Sequence, residues 1–194
     1  MARRRAAAGL VLAAVGLTTA GCLGGGATKT VTVSNTQTVT STETVTTGSV
    51  TSAEPCKGTD LAATFALVPN SAGAGQIAYT LTVKNSSQVS CSVRGIPQGT
   101  LLGATGTVLP TNVRASGGTG RRIVLPPGAS ATAQARFSPD VAGQGDSQSG
   151  SCQPQAHTFQ LSTESGGVTE APVKPPTSVC QRGTLHFEAF GYTS

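Results

Sequence analysis

Between Leu61 and Ala189 several runs carry apolar residues at every second position, and that period constrains the fold of this 194-residue chain more than any other feature. Ile77, Tyr79, Leu81 and Val83 share one face, with Ala78, Thr80, Thr82 and Lys84 on the other. Ala129, Ala131, Ala133, Ala135 and Phe137 alternate with Ser130, Thr132, Gln134 and Arg136. Leu61–Leu67, Val89–Val93, His157–Leu161 and Leu185–Ala189 repeat the pattern. Successive side chains on a strand point to opposite faces, so each run reads as a half-buried strand. No run sustains the 3.6-residue period of a helix. Pro126-Pro127-Gly128 reads as a turn. Asn85-Ser86-Ser87-Gln88 has hairpin length, so Ile77–Val83 and Val89–Val93 are expected to pair with one another. Many short strands separated by turn residues predict an all-β fold, an antiparallel β-sandwich. Aromatics are only 4% and Trp is absent, so its core is expected to be mainly Val, Leu, Ile and Ala.

The N-terminus has a different character. Arg3, Arg4 and Arg5 precede an apolar run, Leu10–Leu17, and small residues Thr19-Ala20-Gly21 precede Cys22. That order is the one found in secretory signals. As a helix Ala6–Ala20 would span roughly 22 Å, short of the roughly 30 Å hydrocarbon core. Thr19-Ala20-Gly21-Cys22 resembles the lipobox of bacterial lipoproteins, in which the cysteine takes a diacylglyceryl group and the chain is cut just before it. Residues 1–21 are therefore read as a lipoprotein signal peptide and Cys22 as the lipidation site. The implied location is extracytoplasmic, lipid-anchored to the cell membrane at the cell envelope, since two acyl chains hold firmly. Residues 22–55 are rich in Thr, Ser and Val, as in Thr30-Val31-Thr32-Val33. Their apolar side carries almost only Val and Ala, too little to offset the entropy of ordering. They read as a disordered stalk, roughly 30–35 Å long as a coil and up to roughly 110 Å extended. The folded domain is placed at residues 56–194.

That domain holds Cys56, Cys91, Cys152 and Cys180, with no paired Cys-x-x-Cys and hence no zinc spacing. Outside the cytoplasm four cysteines read as two disulfides. Three connectivities are open, and spacing excludes none. Cys56–Cys91 with Cys152–Cys180 is favoured because each bond then ties a segment near its own neighbours. Loops of about 36 and 29 residues would each contribute roughly 3.5–4 kcal/mol through restriction of the unfolded chain.

The order Cys56, Asp60-Leu61, Gly73-Ala74-Gly75, Asn85, Cys91, Gly95-Ile96-Pro97, Leu125-Pro126-Pro127-Gly128, Cys152 and Cys180 resembles the actinobacterial domain-of-unknown-function family 4232 (DUF4232). The likeness runs from Cys56 onward, with Ile96 where an aromatic is common in that family. It implies a lipoprotein signal and low-complexity stretch upstream and an immunoglobulin-like sandwich. It implies no activity.

The chemistry-bearing residues are sparse. Net charge is +5, but without the three leader arginines ten basic residues face eight acidic ones, leaving +2. With no basic cluster beyond Arg121-Arg122, nucleic acid is not an expected partner. Gly145-Asp146-Ser147-Gln148-Ser149-Gly150 superficially resembles a serine-nucleophile loop, but His157 and His186 both follow it, which excludes the chymotrypsin order. It is read as a surface loop. His186 and Glu188 share a strand face, whereas His157 falls in phase with Phe159 and Leu161, so the three are not expected to form a metal site. Copper lacks a mature methionine, since Met1 is the only one. Tyr79 lies on a core face; Phe190 and Tyr192 are read as sealing a sheet edge rather than forming a sugar platform. Gly117-Gly118-Thr119-Gly120 lacks the Lys and the strand-to-helix context of a phosphate loop. The expectation is a protein that is not an enzyme, has no cofactor, and is membrane-held through Cys22. Its domain would bind an unknown envelope protein or polymer. The alternatives are a small-ligand carrier or sensor with a pocket between the sheets, or a structural envelope protein.

Overall fold

The computed structural model describes residues 53–193. The leader, Cys22 and the Thr/Ser-rich stretch up to residue 52 lie outside the described residues. Eleven strands follow a short 3-10 turn at Gly58–Asp60. They are β1 (Leu61–Leu67), β2 (Ile77–Asn85), β3 (Cys91–Val93), β4 (Gln98–Leu102), β5 (Asn112–Ala115) and β6 (Ile123–Leu125). The rest are β7 (Ser130–Phe137), β8 (Gln155–Ser162), β9 (Val168–Ser178), β10 (Thr184–Phe187) and β11 (Gly191–Tyr192).

Nine strands form one sheet in the order β4-β8-β9-β1-β2-β7-β10-β5, with β10 and then β11 along the same edge of β7. The all-β class stands, but the sheet is mixed rather than antiparallel throughout. β1 runs parallel to β9 through Phe65↔Val173, and β5 runs parallel to β10 through Leu185↔Val113. Alternation reports which face a residue takes, not the direction of the neighbouring strand, so it cannot distinguish the two arrangements.

The expected hairpin between Ile77–Val83 and Val89–Val93 does not form. Both edges of β2 are already taken, by β1 from Leu61↔Asn85 to Leu67↔Tyr79 and by β7 from Ile77↔Phe137 to Lys84↔Ser130. β3 instead pairs with β6 as a separate two-stranded sheet. Asn85, fully buried at the end of β2, organises the departure. Its Nδ2 donates to Val89 O and Leu125 O at 2.8 Å each, and its Oδ1 accepts from Ser87 N–H at 2.9 Å. The Pro126–Gly128 turn then leads from β6 into β7, with Gly128 at φ 80° and Ala129 N–H donating to Pro126 O.

The inward residues of β7, of β10 and of β2 from Tyr79 onward are buried as alternation predicts, while Ala78 on the other face is buried too and Ile77 only partly. The centre of the core is aromatic, against expectation. Phe65, Tyr79, Phe137, Phe159 and Phe187 form one connected cluster with ring centroids 5.3–5.8 Å apart. Few aromatics suffice when five of them converge, because each buries far more area than an alanine. Phe159 on β8 meets Phe187 on β10 although those strands lie toward opposite ends of the sheet order, so the sheet curls around this cluster. The two ends approach where Leu101 N–H of β4 donates to Thr111 Oγ1 and Leu109 N–H donates to Leu101 O.

One phase expectation fails within β8. The ladder to β9 is irregular between Ala156 and Thr158, and this moves Ala156 inward with Phe159 and Leu161. His157 is displaced from their face and is half-buried.

Candidate functional site

Two places bring polar side chains together in ways alternation does not foretell. The first is a cleft of about 130 Å³ between the small sheet and the β8–β9 connection. Its floor is apolar: Leu61, Ile96, Pro97, Leu161 and Phe190. Gly95 turns the chain from β3 toward β4 at φ 71°, and its carbonyl accepts from Phe190 N–H at 3.0 Å. That bond draws the segment after β10 in as one wall, which is why Phe190 is buried while Tyr192 is 66% exposed. The opposite wall is the hairpin after β8, closed by Thr163, whose Oγ1 donates to Gly166 O at 2.7 Å. Ser165 Oγ donates to Cys56 O at 2.7 Å and fixes that hairpin to the start of the domain.

Across the mouth, Arg94 Nε donates to Glu164 Oε1 at 2.7 Å. The hydrogen bond and then the charge of Glu164 raise the Arg94 guanidinium above its ordinary value. Both side chains are well exposed, so the pair contributes little stability. Its effect is to hold one cation and one anion beside an apolar floor. A shallow groove continues past the pair between Ile96 and Thr119-Gly120. The glycine loop thus borders the cleft.

The second place is the Asp146 knot. The loop read as plain Gly/Ser surface carries a nearly buried carboxylate. Asp146 accepts from Gly143 N–H at 2.8 Å, Gln153 Nε2 at 2.7 Å, Arg182 N–H at 2.8 Å and also Gln181 N–H. Burial alone would raise its pKa. The Gly143, Gln153, Arg182 and Gln181 donors outweigh burial and bring it down to about 2. Those donors hold an unusual segment, since Gln181, Arg182 and Gly183 all have left-handed φ of 55°, 57° and 73°. For residues with a Cβ that conformation costs roughly 1–2 kcal/mol each. At Gly183 a Cβ would also collide with the Pro110 backbone, so this turn docks against the start of β5 only as glycine.

The disulfides are Cys56–Cys91 and Cys152–Cys180. The first ties the chain entering the domain to β3; the second ties the Asp146 loop to the left-handed turn. Asp146, Cys152 and Cys180 have potential ligand atoms within 4.8 Å, but both sulfurs are committed to the bond between them. His157 lies on β8 beside Gln155 and Leu109, while His186 on β10 and Glu188 just after it are exposed. Tyr79 is a core residue, its hydroxyl donating to Pro175 O at 2.8 Å. Burial raises its pKa.

No sequence signal could have found the Arg94–Glu164 mouth, because its two residues come from turns that meet only in the fold. The molecule thus defines its class as a disulfide-stapled all-β domain with a small apolar cleft. The chain belongs to a family described as a domain of unknown function, DUF4232, which matches residues 56–191. No curated protein and no solved structure shows significant similarity to it.

Proposed function

We propose that this chain is an exported lipoprotein, held to the membrane by lipid on Cys22. Its domain is then a non-catalytic binding module at the cell envelope. The charged N-terminus, the Thr-Ala-Gly-Cys sequence and the two disulfides support the address, since disulfides persist in oxidising compartments. The curled sheet is proposed to be an immunoglobulin-like sandwich, supported by inward rings from opposite ends of the strand order meeting in one core.

The observation that carries the binding role is the cleft under Arg94 and Glu164. About 130 Å³ is below the roughly 300–1,000 Å³ of pockets for drug-sized ligands, and near the size that admits one benzene-sized apolar group. The cleft therefore suits a single apolar side chain of an envelope partner, flanked by polar groups that pair with the two charges. Ile96→Asp would place an unpaired carboxylate on the apolar floor. Cross-linking capture from intact envelope should recover a partner with the native chain and lose it with Ile96→Asp. Identical recovery would refute the cleft as the recognition site. The second reading, a small-ligand carrier, is favoured by the same apolar floor. Native mass spectrometry would support it by finding a stoichiometric small molecule that Ile96→Asp removes.

A further inference from the structure

We propose that an exposed row of basic side chains, Arg114, His186 and Arg136, is an anion site that takes a phosphate group. This rests on a different face from the cleft and is independent of it. β10 lies between a parallel neighbour, β5, and an antiparallel one, β7. The register pairs His186 with Arg114 on one side and with Arg136 on the other. Directly paired residues share a face, and the flanking Leu185, Phe187 and Ala135 are buried, so all three basic side chains point outward. Each is exposed. Two strand spacings separate the arginine backbones, roughly 10 Å, which two guanidinium side chains can close around one group.

The two guanidinium charges, about two strand spacings apart across His186, repel one another. Among the described residues the one ion pair is Arg94–Glu164, so neither arginine of the row has its charge answered by a carboxylate in direct contact. Glu188, two residues beyond His186, lies on the same face and is bonded through its backbone N–H to Gln134 O. On the other flank Asn112 Nδ2 donates to Thr184 Oγ1 at 3.4 Å, and the exposed Arg182 lines the same groove as Asn112. Guanidinium forks match phosphate oxygens two at a time, and an imidazole offers an N–H in either charge state. A dianionic phosphate would therefore offset the repulsion the row carries. Because the three side chains are exposed, the row can meet a phosphate borne on a larger molecule as well as a free one.

The test is a ¹H–¹⁵N NMR titration of the oxidised chain from Leu23 onward with inorganic pyrophosphate at constant ionic strength. Saturable shifts should centre on Arg114, Arg136 and His186. Arg114→Gln with Arg136→Gln should weaken binding at least tenfold. Lys57→Gln with Arg121→Gln, which removes the same charge from exposed positions elsewhere, should change it less than twofold. Thermal melts check folding of each variant, and the single edge-strand change Arg114→Gln serves if the double variant unfolds. Shifts that never saturate, or equal weakening in both double variants, would overturn the site in favour of diffuse attraction to net charge. Sedimentation with phosphatidylglycerol vesicles, abolished by the Arg114/Arg136 change, would assign the phosphate to a lipid headgroup. Row-dependent pyrophosphate binding without sedimentation would assign it to a soluble or polymeric phosphate.

Discussion

Asp146 is the residue whose environment differs most from what its neighbours in sequence suggest. Glycines and serines surround it, yet its carboxylate accepts four hydrogen bonds and titrates at about 2. A carboxyl whose folded pKa lies below its unfolded value of 3.8 stabilises the fold above that value. The contribution is lost as pH falls through the folded pKa. Asp146→Asn keeps the shape but trades an acceptor for a donor facing backbone N–H groups. It should lower stability by about 1–3 kcal/mol in urea titrations at pH 7. The native protein should weaken between pH 4 and 2, and the difference from the variant should shrink over that window. A difference that stays constant down to pH 2 would show that the carboxylate charge is not what holds Gln181 and Arg182.

At the scale of elements, alternation located β1, β2, β7, β8 and β10, because the period is written in each strand's own side chains. It passed over β4, β5 and β6, which are three to five residues long, and β9, where Pro172, Pro175 and Pro176 interrupt the pattern. It also assigned β3 to the wrong partner. Three residues cannot hold two strands together on their own, so β3 and β6 depend on Asn85 and on the Cys56–Cys91 bond. Cys91→Ala should cost about 3–4 kcal/mol. Hydrogen exchange should show protection lost first and most at Cys91–Val93 and Ile123–Leu125, with β1, β2 and β7 losing only what the fall in global stability removes. Uniform loss across all of these strands would show that the bond acts on the unfolded chain alone.

At the scale of the whole molecule, the proposed lipid anchor would set where the domain works. Mass spectrometry of the mature N-terminus is expected to find an acylated Cys22. Cys22→Ser should release the chain into the medium or stall its processing, at least tenfold above native release. An unmodified N-terminus elsewhere would end the proposal.

The sequence by itself determined the all-β class, the inward faces of the longer strands, the turn at Pro126–Gly128 and the membership that residues 56–191 share with DUF4232. Each of these is encoded within a few consecutive residues or by the order of such motifs along the chain. Tertiary structure alone decided the parallel pairings, the separate β3–β6 sheet and the aromatic core. It also decided the Arg94–Glu164 mouth, the Asp146 knot and the Arg114–His186–Arg136 row. In each of those, residues far apart in the chain become neighbours through strand order and register, which local periodicity cannot express.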